Sequence, residues 1–438
     1  MASETIFAPM TALGRGAVTA LRLSGPGTAA ALMRLAGALP AARHAVLRRL
    51  RDASGEVLDE ALLLWFPAPH SYTGEDVAEL HLHGGRAVME GVAEALTDLG
   101  LRIAEPGEFS RRAFLNGRMD LLQAEAIGDL VAAETAGQRR QALRQMEGAL
   151  GTLYGDWTER LAGILAHQEA LIDFPDETLP PAVETEMLRA IAALSAEIAL
   201  HLADGRRGER MREGLVFVVQ GVPNAGKSTL VNVLAGRDVA IVSPAAGTTR
   251  DVLEVQLTLG DAPVTLIDTA GLRETDDPVE AEGVRRARAK AQAADLILTL
   301  IPVDGPVDQL PSAPEIAADA RPEQLLIATK ADLGTAPAGI DHAVSARSGL
   351  GMAELRDRLD VLARRMTAAS GPPPLTRQRH RALLRDAAMH LASAEAESEP
   401  ELRAEELRLA LAAIGGITGA VGVEALLDRI FGDFCIGK

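Results

Sequence analysis

The stretch Gly221-Val222-Pro223-Asn224-Ala225-Gly226-Lys227-Ser228 decides the fold of the middle of this chain. Its G-x-x-x-x-G-K-S spacing is that of a P-loop. Immediately before it, Leu215 to Gln220 (LVFVVQ) is an unbroken apolar run, as expected of a parallel strand covered on both faces. Immediately after it, Thr229 to Ala235 carries a helix signal. Strand, glycine-rich turn and helix N-terminus in that order bring several main-chain N–H groups and a favourable helix field onto one anion. The expected ligand is a nucleoside triphosphate, with Asn224, Ala225, Gly226, Lys227, Ser228 and Thr229 around its phosphates. Lys227 would hold the β- and γ-phosphates as the catalytic cation, and the Ser228 hydroxyl would ligate Mg²⁺.

Downstream, strand signals at Val252 to Leu259, Val264 to Asp268, Leu296 to Ile301, Leu325 to Thr329 and His342 to Val344 alternate with helix signals as far as about Arg365. That alternation predicts a doubly wound, mostly parallel sheet. Asp268 closes an apolar strand and opens the turn Asp268-Thr269-Ala270-Gly271. A carboxylate at that strand end supports Mg²⁺, and a following glycine N–H senses a γ-phosphate; alone, the same residues read as an ordinary Asp-initiated turn. Thr329-Lys330-Ala331-Asp332 follows the next buried strand. A carboxylate at Asp332 can accept from both N1–H and N2–H₂ of guanine, a donor pair that adenine lacks, so GTP is expected over ATP. Ser345-Ala346-Arg347 would supply main-chain N–H groups to guanine O6. In Gly247-Thr248-Thr249-Arg250-Asp251, Thr249 can complete the Mg²⁺ shell and Thr248 can face a second cation; the bland reading is a polar loop.

The flanks have a different texture. Ala17 to Ser24, Glu56 to Phe66 and Val77 to His83 read as strands and Ala87 to Leu99 as a helix, predicting an α+β domain over residues 1–118. Leu121 to Gly148, Leu153 to Ile172 and Glu184 to Ala203 are apolar at helical spacing, broken by three prolines between Phe174 and Pro181. They predict the first part of a helical domain, residues 119–210. The P-loop domain then occupies residues 211–370 and ends at Gly371-Pro372-Pro373-Pro374. Leu375 to Ser398 and Glu401 to Ile430 are helical again, giving a second helical part over residues 371–438, with the α/β domain inserted between the two.

A chain of 438 residues exceeds one ordinary core, which agrees with a multi-domain α/β reading. No apolar run approaches the roughly 20 residues of a membrane span. The N-terminus lacks a leader pattern and Cys435 is the only cysteine, so a cytoplasmic location is expected. A net charge of −17 argues against a surface that wraps nucleic acid throughout. Local basic clusters at Arg139, Arg140 and Arg144, and at Arg377, Arg379, His380 and Arg381, read most simply as solvated helix faces. His81 and His83, alternating on one strand, read as structural histidines.

Taken together, the nucleotide elements resemble a translation-factor-class GTPase, and the flanks narrow the resemblance. They carry Thr5-Ile6-Phe7-Ala8, Gly14-Arg15-Gly16, Arg22-Leu23-Ser24-Gly25, Ser71-Tyr72-Thr73-Gly74-Glu75-Asp76, His83-Gly84-Gly85 and Phe114-Leu115-Asn116-Gly117. Asp120-Leu121, Gln123-Ala124-Glu125-Ala126 and the terminal Cys435-Ile436-Gly437-Lys438 follow. Over essentially its whole length the chain resembles the MnmE (TrmE) family of tRNA-modification GTPases.

The resemblance implies a homodimer whose N-terminal domain binds 5-formyltetrahydrofolate or a related tetrahydrofolate through Arg22, Glu79, Arg118 and Lys438. It implies an MnmG (GidA)-type flavoprotein partner carrying FAD. The two add an aminomethyl or carboxymethylaminomethyl group to C5 of the wobble uridine of certain tRNAs, with Cys435 matching a cysteine needed for modification. It implies GTPase domains that pair across the nucleotide with K⁺ at Asn224, Ser243, Ala245 and Thr248, in a GTP-contacting segment that includes Pro244, Ala246 and Gly247. A cation beside the transferring phosphoryl group neutralises developing charge, as an arginine finger does. Leu272 is apolar and cannot orient water; Glu280 matches the family glutamate with that role. Three positions depart from the family pattern. Thr329 stands in place of the usual Asn but can still tie its loop to the P-loop. Thr11-Ala12-Leu13 replaces Thr-Pro-Pro, and Arg118 replaces a common Lys. A GTP-dependent ribosome-assembly switch of the Era or EngA type is the alternative, and it leaves the N-terminal domain and the terminal cysteine without a role.

Overall fold

The computed structural model describes residues 4–12, 14–173, 181–236, 254–268, 292–305, 322–368, 372–420, 424–432, 434 and 437. The chain forms two compact units. One draws on Met1–Gly128, Gln145–Ile191 and Met389–Lys438; the other draws on Asp129–Arg144 and Ala192–Ala388.

In the first unit, β1 (Ile6–Pro9), β2 (Val18–Ser24), β3 (Val46–Arg51), β4 (Val57–Phe66), β5 (Val77–His83) and β6 (Arg102–Ile103) form one sheet in the order β3-β4-β5-β2-β1-β6. All neighbours are antiparallel except β1 and β6. Successive side chains of a strand point to opposite faces. Leu21 and Leu23 of β2 and Leu80 and Leu82 of β5 therefore point one way, where they meet Leu32 and Leu35 of α1 (Thr28–Ala36) and Val92 and Leu96 of α2 (Arg86–Asp98). Each such burial is worth about 1.5–3 kcal/mol. The same alternation sends Arg22 and Glu79 to the opposite face, and a one-residue slip would put both charges in the core. On that opposite face Phe109 of α3 (Glu108–Leu115) packs on Ile6 and Ala8.

The helices of this unit begin with α4 (Leu121–Ala132), opened by a reciprocal cap: Asp120 Oδ1 accepts from the Gln123 N–H, and Gln123 Oε1 accepts from the Asp120 N–H. The predicted run from Leu121 to Gly148 is two helices. Thr135 and Gln138 form a second reciprocal cap that starts α5 (Ala136–Met146) afresh, a helix that as far as Arg144 belongs to the second unit. Helix α6 (Ala149–Asp173), with Tyr154, Trp157 and Leu161 buried, pairs with the later helix Pro400–Thr418. There the Gln168 amide donates to the Pro400 carbonyl at 3.0 Å, and Arg408 pairs with Glu169 at 3.1 Å.

The second unit contains the other sheet: β7 (Leu215–Gly221), β8 (Glu254–Leu259), β9 (Ala262–Asp268), β10 (Leu296–Pro302), β11 (Glu323–Thr329) and β12 (His342–Ala343), in the order β12-β11-β10-β7-β9-β8. Only the β8–β9 pair is antiparallel. This is the doubly wound sheet expected from the sequence. Alternate residues Leu215, Phe217 and Val219 enter the main core, while Val218 joins Ile267 and Ile297 on the other face. Helix α7 (Pro181–Leu202) leads towards this unit, followed by α8 (Arg207–Glu213), and α9 (Lys227–Gly236) follows the P-loop. Helix α10 (Met352–Thr367) buries Met352, Leu355, Leu359 and Leu362, one stripe at helical spacing, in the same core.

One expectation is corrected here. Arg377, Arg379, His380 and Arg381, at the start of α11 (Gln378–Ala396), are not a solvated helix face. His380 is fully buried, and Arg381 donates to Asp204 at 2.6 Å and to Glu209 at 2.7 Å. Arg377 and Arg212 share Asp129, each at 2.8 Å. Carboxylates remote in sequence converge on these cations, which sequence spacing alone does not show. The second predicted helical run, Glu401 to Ile430, is also divided. Helix α12 (Pro400–Thr418) stops at Gly419, whose φ of 89° suits glycine and whose hydrogen faces the Phe114 ring at a distance no Cβ could occupy; α13 (Glu424–Gly432) follows.

Candidate functional site

The P-loop leaves β7, which has β10 on one side and β9 on the other, so it emerges where the strand order reverses, the usual ligand position in such sheets. Gly221 has to be glycine, because a Cβ there would lie 2.7 Å from the Leu300 carbonyl oxygen on β10. The turn then passes through positive φ at Asn224 (63°) and Gly226 (89°), a curl that brings successive N–H groups to one side. Lys227 opens α9. Its ammonium reaches back over the loop to the carbonyls of Gly221 at 2.9 Å and Val222 at 3.1 Å.

The next residue, Ser228, donates its hydroxyl to Asp268 at 2.7 Å, joining the helix start to the end of β9. A hydroxyl and a carboxylate in contact are hard oxygen donors of the kind Mg²⁺ selects, so this pair fits that ion. Thr329, at the end of β11, donates to the buried Ala225 carbonyl at 2.7 Å, the tie between base-side loop and P-loop expected for a threonine here. Lys330 takes a positive φ of 58° and spans both carboxylate oxygens of Asp304 at 2.8 and 2.9 Å. The Ser345 hydroxyl, the Asp332 N–H and the charge of Arg347 together hold the Asp332 carboxyl below its ordinary range, so it is ionised at neutral pH. Ser345 also accepts from the Ser348 N–H, and Ala331 donates to the Val344 carbonyl, so the 329–332 and 345–347 segments form one structure.

The structure thus brings together Lys227, Ser228, Asp268, Thr329 and Asp332 with Ser345 at the carboxyl ends of β7, β9 and β11. Ser243, Pro244, Ala245, Ala246, Gly247, Thr248, Thr249, Thr269, Ala270, Gly271, Glu280, Cys435 and Lys438 lie outside the described residues. Two participants escape a reading by motif: Leu300, whose carbonyl backs Gly221, and Asp304, which holds Lys330. The Asp304-Gly305 turn after an apolar strand is the one local signal for the latter.

The first unit carries a second polar assembly. Arg22 and Glu79 face one another across β2 and β5 and pair at 2.9 Å. The Arg22 guanidinium lies 4.6 Å from the centre of the Tyr72 ring and 5.8 Å from that of Phe109. The Ser71–Asp76 segment connects this pair to Arg118: Tyr72 covers Arg22, and the Arg118 stem rests on Gly74, where a Cβ would meet it at 3.2 Å. Behind them Glu75 takes Ser24 at 2.7 Å and Arg112 at 3.0 Å. Glu108 binds Arg112 and Arg102 at 2.9 and 2.7 Å. Burial pushes the Glu108 carboxyl up, but Arg102, the Glu105 N–H and Arg112 outweigh it and hold it at about 2. The Glu108/Arg112 spacing on α3 is the sequence signal for this pair. His83 binds Asp59 at 2.7 Å, a structural role, whereas the buried Nε2 of His81 has no hydrogen-bond partner and lies 3.7 Å from Glu79. At the chain's end, Gly437 (φ 99°) packs so closely on Pro9 that a Cβ would sit 2.1 Å from its carbonyl oxygen.

A P-loop at the switch point of a doubly wound sheet, with a threonine-tied base-side loop two strands away, defines a P-loop GTPase. A family model described as the MnmE helical domain matches residues 121–435, and one described as the GTP-binding protein TrmE N-terminus matches residues 5–118. The chain is 55% identical to the tRNA modification GTPase MnmE of Gluconacetobacter diazotrophicus, over 99% of this chain and 98% of that protein. Its identity is 52% to that of Granulibacter bethesdensis and 55% to that of Rhodospirillum rubrum, each over 100% of both chains. The chain belongs to the MnmE family of tRNA modification GTPases.

Proposed function

We propose that this protein hydrolyses GTP to GDP and phosphate and couples that turnover to modification of C5 of the wobble uridine in certain tRNAs. The observation that carries the reading is the convergence of Lys227, the Ser228–Asp268 pair and the Thr329–Asp332 loop on one edge of one sheet. Lys227 neutralises charge on the β- and γ-phosphate oxygens as the bond to the leaving GDP breaks. Asp332, held ionised, accepts from guanine N1–H and N2–H₂, while main-chain N–H groups of Ser345, Ala346 and Arg347 donate to O6. Glu280 orients the attacking water. Mg²⁺ at Ser228 and Thr249, and K⁺ at Asn224, Ser243, Ala245 and Thr248, supply positive charge beside the phosphoryl group when bound.

In the same reading, residues 1–118 dimerise and bind a tetrahydrofolate such as 5-formyltetrahydrofolate. Arg22, Glu79, Arg118 and Lys438 form that site, with the part-exposed Tyr72 ring beside the Arg22–Glu79 pair suiting a flat heteroaromatic ligand. Residues 119–210 and 371–438 form the helical domain and residues 211–370 the GTPase domain. Cys435 serves the modification, an MnmG-type flavoprotein carrying FAD is the partner, and the pair works in the cytoplasm. Among the described residues no helix is long and apolar enough to cross a membrane.

The test is GTP turnover at fixed Mg²⁺ in K⁺ against Na⁺, with mass spectrometry of wobble uridines from cells carrying Cys435→Ser. Strong K⁺ stimulation, and loss of the modified nucleoside with GTP hydrolysis retained, are expected. Equal turnover in the two salts rules out the K⁺ site, and undiminished modification rules out the thiol.

A further inference from the structure

Charge is distributed very unevenly along this acidic chain. Between Thr5 and Arg51 stand seven arginines and not one Asp or Glu, in a protein whose net charge is −17. The fold gathers the later part of this stretch into one ribbon that wraps the β3 edge, with Arg48 on the face shared with the core residue Leu50 and Arg51 on the opposite face. Arg34 lies in the last turn of α1, which packs beside β3; Arg43 sits in the connecting loop; Arg48 and Arg51 lie on β3 itself. All four side chains are exposed. Arg49 pairs with Glu60 at 3.5 Å. Among the described residues, Arg34, Arg43, Arg48 and Arg51 pair with no carboxylate: Arg43 donates to the His70 carbonyl, Arg48 to that of Leu47 and Arg51 to that of Gly55.

Elsewhere the arginines between Arg377 and Arg381 are largely consumed internally, while Arg139 and Arg144, on either side of Arg140, are exposed. The Arg377–Arg381 group meets Asp129, Asp204 and Glu209, and Arg140 meets Asp261. β3 is moreover an edge strand, hydrogen-bonded to β4 alone, so one row of its peptide groups faces outward. Charged residues do guard sheet edges against pairing. That explains arginines on the strand, but not Arg34 and Arg43 beyond it, nor the absence of carboxylates over the whole stretch. Unpaired guanidinium groups beside open main-chain N–H groups are the donor set that holds a phosphodiester backbone.

We propose that the ribbon of Arg34, Arg43, Arg48 and Arg51 is a contact surface for the sugar-phosphate backbone of the tRNA substrate. The proposal rests on the reading that this chain itself engages tRNA. Its contacts are to phosphate, so it positions the RNA and carries no sequence preference.

The experiment is anisotropy of fluorescent tRNA with the full chain between 50 and 200 mM KCl. Three fourfold variants are compared with the wild type. Arg→Gln at the four ribbon positions is the first and Arg→Lys at the same positions the second. The third is Arg→Gln at the exposed Arg144, Arg189, Arg358 and Arg385, which removes the same net charge elsewhere. The first variant is expected to lose about 3 units of salt slope and on the order of 10²-fold or more in affinity at low salt. The Lys variant and the remote control are expected to keep both within a few fold. GDP affinity and the thermal melt verify folding, and if the fourfold Gln protein does not fold, Arg48→Gln with Arg51→Gln should lose about half the slope. A ribbon Arg→Gln variant that folds and binds within twofold of the wild type with the same slope overturns the proposal while leaving tRNA as substrate. A remote control that loses as much also overturns it, since overall charge would then be responsible. A wild-type chain that binds no tRNA overturns the underlying reading as well.

Discussion

Thr329→Val removes one hydroxyl from a buried position and nearly preserves the shape of the side chain. Thr329 is 5% exposed and donates at 2.7 Å to the carbonyl of Ala225, itself fully buried in the P-loop. Losing a neutral hydrogen bond costs about 1 kcal/mol, and leaving a buried carbonyl without its partner costs about 1–3 kcal/mol. Part of that cost falls equally on the free and nucleotide-bound protein and appears as lower stability. The remainder appears in affinity, because the bond holds the Asp332 loop in register with the loop beneath the phosphates. A loss of about 1–2 kcal/mol in binding corresponds to roughly 5- to 30-fold weaker GDP affinity. Titration with a fluorescent GDP analogue measures it, with stopped-flow dissociation placing the effect in the off-rate. Thr329→Asn, which restores a donor at the same place, should bind at least as tightly as the wild type. A Val variant that binds GDP within twofold of the wild type, at unchanged thermal stability, refutes the idea that this bond couples the two loops.

Glu108 supplies a pH prediction. Its carboxyl is held at about 2, below an unfolded value near 4.5, so its stabilisation is complete above about pH 4.5 and is lost as pH falls towards 2. Glu108→Gln should cost about 3 kcal/mol at pH 7, and the difference from the wild type should vanish near pH 2; urea melts across that range test it. Arg381→Met strands Asp204 and Glu209 in a buried setting and should cost about 3–5 kcal/mol in urea unfolding. Gly437→Ala places a methyl group where the Pro9 carbonyl stands. It should displace the terminal segment and reduce wobble-uridine modification at least tenfold while GTP turnover stays within twofold; unchanged modification would show that the seating of the tail is unimportant.

Long, strongly patterned segments were legible. The strands at Val18–Ser24, Val57–Phe66 and Val77–His83, and the P-loop strand, lie within a residue or two of where alternation or continuous apolarity puts them. The elements that escaped are short or atypical. β1 has four residues and β6 two, too few for any period, and they exist because they pair with one another and with β2. β3 reads Val-Leu-Arg-Arg-Leu-Arg, whose charges belong to an exposed edge and disguise its alternation. Two continuous helical runs are each divided in space, one by a cap at Thr135 and one by a glycine at Gly419. Propensity alone allows the helix to continue through the first of these, and only the side-chain bonds show where it restarts.

By itself the sequence determined the P-loop pattern, the GTPase class and the family to which the chain belongs, and it marked the carboxylate and the cysteine to which roles are proposed above. These depend on residue type at fixed local spacing, which backbone geometry converts directly into structure. The tertiary fold alone decided which charges meet. Arg22 finds Glu79 57 residues away, Arg381 finds Asp204 177 residues away, and among the described residues Arg34, Arg43, Arg48 and Arg51 find no carboxylate. An ion pair depends on distance in space and on burial, and neither is a property of neighbours along a chain.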